Sequence, residues 1–139
     1  MSCLLRATGE NFEVDAFLQT SKLRPNTVQH KGQLRRKNKP DGGKSEFSGL
    51  SCVVSEKDFN DLEGQIAEAI EFLKSNRVHL QKLVKFPGIE DVRLDFGIER
   101  RDEFSQCDYF PSKLLCLAGE LGIGIELSQY PISPKQKTK

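Results

Sequence analysis

The sequence predicts an α+β fold, a two-layer sandwich whose mixed or antiparallel sheet carries its helices on one face. Three observations predict it. Alternating, strand-like runs flank helix-like runs in the order strand, helix, strand, strand, long helix, strand, helix, strand. Residues 91–99 alternate strictly, with Val92, Leu94, Phe96 and Ile98 against Asp91, Arg93, Asp95, Gly97 and Glu99, so that strand has one buried face and one wet face. The first six elements follow the order of a ferredoxin-like βαββαβ core, to which a C-terminal helix and strand are added.

Each element has a local reason. In residues 3–8, Cys3, Leu5 and Ala7 alternate with Leu4, Arg6 and Thr8, and Gly9-Glu10-Asn11 then turns the chain. Val14, Phe17, Leu18 and Leu23 fit one face of a short helix, which stops before Pro25 because proline disfavours helix in its predecessor. Residues 27–33 read as a second strand. Lys31, Arg35, Arg36, Lys37, Lys39 and Lys44 surround Pro40-Asp41-Gly42-Gly43, the composition of a basic hairpin tip. Residues 47–55 form the third strand, with Leu50, Cys52 and Val54 on one face.

Ser55, followed by Glu56-Lys57-Asp58, has the form of a helix start, a hydroxyl to accept from first-turn amides with acids near the positive helix end. Phe59, Leu62, Ile66, Ile70, Leu73, Leu80 and Val84 mark the buried side of the long helix. A break is expected at Ser75-Asn76, where helix propensity is poor, with a second piece over 78–85. Pro87-Gly88 ends it. Pro111 suits the first position of the last helix. Leu114, Leu115, Leu117, Ala118 and Leu121 supply that helix's buried side, and Gly122 its C-terminal cap. Ile123, Ile125 and Leu127 form the last strand, before Tyr130-Pro131.

Length and charge bound the function. A chain of 139 residues fits one domain, expected over 1–132, with a disordered basic tail over 133–139 that has nothing to bury. Its 21 basic and 20 acidic residues leave a net charge of +1, which argues against a whole-protein field for nucleic acid or anionic membrane. No apolar run approaches the roughly 20 residues that span a bilayer. The start, Met1 to Arg6, has no signal-peptide form, and a cytoplasmic location is expected.

Chemistry is sparse. Cys3, Cys52, Cys107 and Cys116 are scattered without paired spacing, against a zinc site. Cys52 and Cys116 lie in apolar stretches and read as core residues, while Cys107 reads as the exposed thiol. His30 and His79 read as surface residues. No serine sits in a nucleophile elbow, and Gly122-x-Gly124 follows a helix where a phosphate cradle would precede one. The sequence therefore names no catalytic residue, no metal ligand and no cofactor.

Two clusters are candidates for binding. Arg93, Asp95 and Glu99 share the wet face of their strand with Asp91, and alternate residues there lie roughly 7 Å apart. Arg35, Arg36 and Lys37 form the centre of the basic loop, which has no aromatic residue for stacking on bases.

A resemblance spans nearly the whole chain. Its residues are the turn and short helix from Asn11 to Leu23, then Pro25, then Val28-x-x-Lys31-Gly32. The amphipathic helix, the alternating strand Val92 to Ile98 and Leu114-x-x-Leu117-Ala118-x-x-Leu121-Gly122 continue it, and a strand closing on Tyr130 completes it. Together these resemble a bacterial family of unknown function, number four-two-seven-nine. A tryptophan usual in that family after the second-strand loop is absent, and Phe47 takes its place. The resemblance supplies no catalytic residues.

The favoured functional reading is a non-enzymatic protein-binding module, immunity-like or regulatory, with a protein partner. The alternatives are a small hydrolase or ligand-binding enzyme using the acidic face of residues 91–99 or Cys107, and nucleic-acid contact through the loop 31–44. Neither class of partner is named by a motif.

Overall fold

The computed structural model describes residues 1–34 and 42–131. Arg35, Arg36 and Lys37, and the tail expected over 133–139, lie outside the described residues. The element order is β1 (Cys3–Gly9), α1 (Val14–Thr20), β2 (Thr27–Gln29), β3 (Ser48–Ser55), α2 (Leu62–Ser75), α3 (Arg77–Val84), β4 (Asp91–Glu99), α4 (Ser112–Leu121) and β5 (Gly124–Tyr130).

The sheet runs β2-β3-β1-β4-β5. Neighbours among its first four strands are antiparallel, and β5 lies parallel to β4 after the α4 crossover. The first four strands thus take the ferredoxin-like order, and β5 extends it at one edge. The fold is an α+β two-layer sandwich.

Register explains the core. Leu5 lies between Cys52 and Leu94, and Ala7 between Leu50 and Val92, so alternate residues of three strands make one apolar row. Helix side chains close over it: Phe17, Leu73, Leu80, Leu83 and Leu114 are fully buried in the same cluster. At one end Phe17 and Phe86 meet edge-on, centroids 5.3 Å apart, with Phe12 beside them.

Two turns interlock at this end. Gly88 has φ +90°, a conformation that suits glycine, and it brings the α3–β4 turn against Gly9 and Asn11. Glu90 N–H donates to the Thr8 carbonyl at 2.9 Å, which starts β4 in register beside β1.

The long helix breaks where the sequence says it should. Asn76, at φ −111° and ψ 18°, ends α2 and begins α3, its N–H donating to Phe72 O at 3.0 Å. Gly122, at φ 77°, caps α4 in the left-handed conformation.

Several local expectations are corrected. The long helix starts at Leu62, not after Ser55. Asp61 is the cap, accepting from Gly64 N–H at 2.9 Å. Ser55 belongs to β3 and donates to Glu68 at 2.8 Å, which leaves Phe59 in the connecting loop. The first helix ends at Thr20, because Ser21 is extended and its hydroxyl accepts from Leu23 N–H at 3.1 Å.

Further along, β2 has three residues, not seven, since Gln33 N–H donates to His30 O and closes a turn. Pro111 is the residue before the first helical one. Leu115 is 48 % exposed and Cys116 is exposed, because Leu114, Ala118 and Leu121, with the partly buried Leu117, set the inward side of α4. Finally β5 starts at Gly124, leaving Ile123 before it, and closes on Tyr130 as expected, held by Arg100 N–H donating to Tyr130 O at 2.8 Å.

Candidate functional site

Helices cover one face of the sheet, so the alternation of each strand sends its other residues to an open face. Registers place Arg6 beside Arg93, Leu4 beside Asp95 and Thr8 beside Asp91. On the β5 side, Glu126 lies beside Asp95, Ser128 beside Gly97 and Tyr130 beside Glu99. Four carboxylates (Asp91, Asp95, Glu99, Glu126) and two guanidinium groups therefore share one surface.

Like charges directly opposite are unfavourable in a sheet, and Arg6 against Arg93 would be such a pair. Each is instead satisfied by carboxylates, Arg6 diagonally and Arg93 both along its own strand and diagonally. Arg6 meets Asp95 at 3.2 Å. Arg93 donates to Asp91 at 2.6 Å and to Glu126 at 3.4 Å. The Asp91 hydrogen bond raises the already high Arg93 pKa, so this cation is permanent.

Asp95 is the centre of the cluster. It accepts from the Ser128 hydroxyl at 2.6 Å as well as from Arg6, and only 5 % of it is exposed. The wet face expected for β4 is therefore dry in its middle. Phe59 explains part of this. Its ring lies where a Cβ on Gly97 would point, 2.8 Å from that position, and meets Tyr130 edge-on with centroids 5.3 Å apart. The two rings close one end of the open face.

The other end is shallow, its lining mostly apolar although several of its residues are polar. Thr8, Thr27, Gln29, Gly49 and Ser51 line a groove of about 190 Å³ beside Arg6, with the half-exposed Phe47 ring at its rim. That volume is below the range of enclosed small-molecule sites, roughly 300 Å³ and above.

Of the sequence-predicted residues, Arg93, Asp95 and Glu99 are brought together on this face. Asp91 and Asp95 are taken up by arginines. Glu99 is the carboxylate of the cluster with no hydrogen-bond or ion-pair partner among the described residues. Arg6, Glu126, Ser128, Tyr130 and Phe59 were not singled out from the sequence. Arg6, Glu126 and Ser128 do sit at polar positions of alternating runs, but their neighbours depend on strand order.

The thiols separate by burial. Burial pushes the Cys3 thiol up to about 12 and the Cys52 thiol to about 11. Cys107 is exposed, and its Sγ meets the Ser105 hydroxyl at 3.5 Å. No histidine lines the depression around it, which is bounded by Arg101, Asp108, Tyr109 and the start of α2. Cys116 lies 3.5 Å from Glu120, whose hydrogen bond and charge raise its pKa. Native protein treated with an alkylating thiol reagent near neutral pH should label Cys107 first and Cys116 more slowly. Cys3 and Cys52 should react only after denaturation, as peptide mass spectrometry would show.

His30 Nε2–H donates to the Asp15 carboxylate at 2.9 Å, which raises its pKa above 6.5. That pair supports the fold fully below pH 6.5 and loses its contribution as pH rises through the raised value. It ties β2 to α1 on the surface. Among the described residues, no group of three His, Cys, Asp or Glu could hold a metal ion, and no helix is long and apolar enough to cross a membrane.

A family model described as a domain of unknown function (DUF4279) matches residues 1–131. The chain belongs to the DUF4279 family. The match takes in every element of the sandwich, and so the whole of the open face. No curated protein and no solved structure shows a significant match to this family member.

Proposed function

We propose that this DUF4279 chain is a non-enzymatic protein-binding module of the immunity-like or regulatory kind, which receives a basic protein surface on its open sheet face. The observation that carries this reading is the pre-set ion-pair cluster on that face. Arg6, Asp95 and Ser128 hold one another, and Arg93 is fixed by Asp91 and Glu126. Side chains already held in place lose little freedom on binding, so a partner meets a rigid pattern of charge.

The pattern is acidic, four carboxylates to two guanidinium groups, and Glu99 has no cation partner among the described residues. Electrostatic complementarity then favours lysine- or arginine-bearing partners and speeds their encounter. Phe59, Tyr130 and Phe47 add exposed or half-exposed aromatic area around the charges. Paired-carboxylate catalysis gains no support, since Asp91 and Asp95 are both neutralised by arginine.

The test is affinity purification from the source organism with three forms of the chain. The unaltered chain should retain a partner that Glu99→Lys loses or binds at least about tenfold more weakly. Lys85→Glu, an exposed position at the C-terminal end of α3, should retain it. Equal recovery by all three forms contradicts the reading.

A further inference from the structure

We propose that two copies of this chain pair antiparallel along β5, joining their five-stranded sheets into one continuous sheet. β5 is an edge strand, and among the described residues nothing pairs with its outer side. Tyr130 turns its carbonyl inward, accepting from Arg100 beyond the end of β4. A strand turns successive residues to opposite sides, so Glu126 and Ser128 bond inward like Tyr130. Ile125, Leu127 and Gln129 therefore present their N–H and C=O groups outward.

This outward set is self-complementary. With Leu127 opposite Leu127 of a second copy, Ile125 falls opposite Gln129, and every outward donor and acceptor finds a partner. The same register sets Glu126 opposite Ser128, and Tyr130 opposite Gly124, where an aromatic ring covers a residue without a side chain. Sliding the register by one pairing would place Glu126 opposite its own copy or leave outward groups of Gln129 or Ile125 unpaired. Charge and hydrogen bonding thus select one register.

The edge also lacks the usual protections. Over Gly124–Tyr130 there is no proline, no lysine and no positive-φ residue, features that would hinder edge-to-edge pairing. α4 packs against β5, α2 and α3 and leaves Leu115 48 % exposed, an apolar side chain on the helix nearest this edge. The occupant is a second copy because antiparallel pairing of one strand with itself satisfies all of these at once. The open faces of the two copies become one surface, and the proposal stands independently of what binds there.

Sedimentation velocity across a micromolar concentration series tests it on the full chain. The expected species has twice the 15.7 kDa chain mass. Gln129→Pro removes an outward amide that the monomer does not use, and edge strands tolerate proline at such positions. That variant should dissociate at least about tenfold more readily. Amide exchange in the unaltered chain provides a readout that needs no variant. Leu127 and Gln129 amides should gain protection as concentration rises, while Leu94 is protected throughout. A monomer at every concentration, or a Leu127 amide left unprotected in a sample that sediments as a dimer, overturns the proposal. So does a Gln129→Pro variant that folds and dimerises as tightly as the original.

Discussion

Gly9→Ala should cost about 3 kcal/mol or more of folding stability, the largest effect expected of any single methyl group in the chain. A Cβ at Gly9 would overlap the carbonyl group of Gly88, and Ile89 Cα lies only 3.2 Å from the same position. The obstacle is backbone, not the end of a flexible side chain. Gly88 cannot withdraw, because its φ of +90° seats it against the Asn11 carbonyl and Phe12. Relief would require β1 and the α3–β4 turn to separate, and with them the Thr8–Glu90 hydrogen bond and the Phe12–Phe17–Phe86 cluster. Gly119→Ala is the matched control: among the described residues nothing beyond the helix's own backbone lies within 4 Å of its Cβ position, so the helix should gain about 0.5–1 kcal/mol. Urea unfolding midpoints at constant slope would show the two variants moving in opposite directions.

Arg6→Ala should destabilise by about 1–3 kcal/mol, well beyond the 0.5 kcal/mol or so typical of a surface arginine. The reason is its partner. Asp95 is 5 % exposed, and without Arg6 its remaining side-chain hydrogen bond comes from Ser128. A carboxylate left buried and under-paired is costly, while the half-exposed arginine itself loses little on release. The double variant Arg6→Ala, Asp95→Ala should therefore be less destabilised than the sum of the two single changes, with a coupling of about 1 kcal/mol or more. Strict additivity in chemical denaturation would mean that the pair does not organise the face.

What was legible in the sequence follows from which signals are local. The strand over residues 91–99 is readable to its ends because Val92, Leu94, Phe96 and Ile98 alternate without interruption. The helix break at Asn76 and the glycine cap at Gly122 are equally local, set by propensity and by φ. The N-terminus of α2 was not readable. Ser55 and Asp61 both offer a capping oxygen, and only the pairing of Ser55 with β1 decides between them. Phe59 shows the same limit. Its spacing to Leu62 and Ile66 fits a helix, yet it folds over Gly97, where the missing side chain makes room for its ring.

The candidate site was half readable for the same reason. Arg93, Asp95 and Glu99 are two apart on one strand, so their common face follows from the strand period alone. Arg6, Glu126 and Ser128 join them only because β4 lies between β1 and β5, an order with no short-range signal. Cys116 marks the opposite failure. Its apolar neighbours suggested the core, but helix geometry turns it outward while Leu114 and Ala118 turn in.

The most direct test of the open face as the binding surface is site-specific photo-crosslinking in the source organism. A photoreactive amino acid at Ser51 or Glu99, on the open face, should give a discrete adduct with a partner protein. The same group at Val78, 73 % exposed in α3 on the helix layer, should give none. Adducts from Val78, with none from Ser51 or Glu99, would contradict the account.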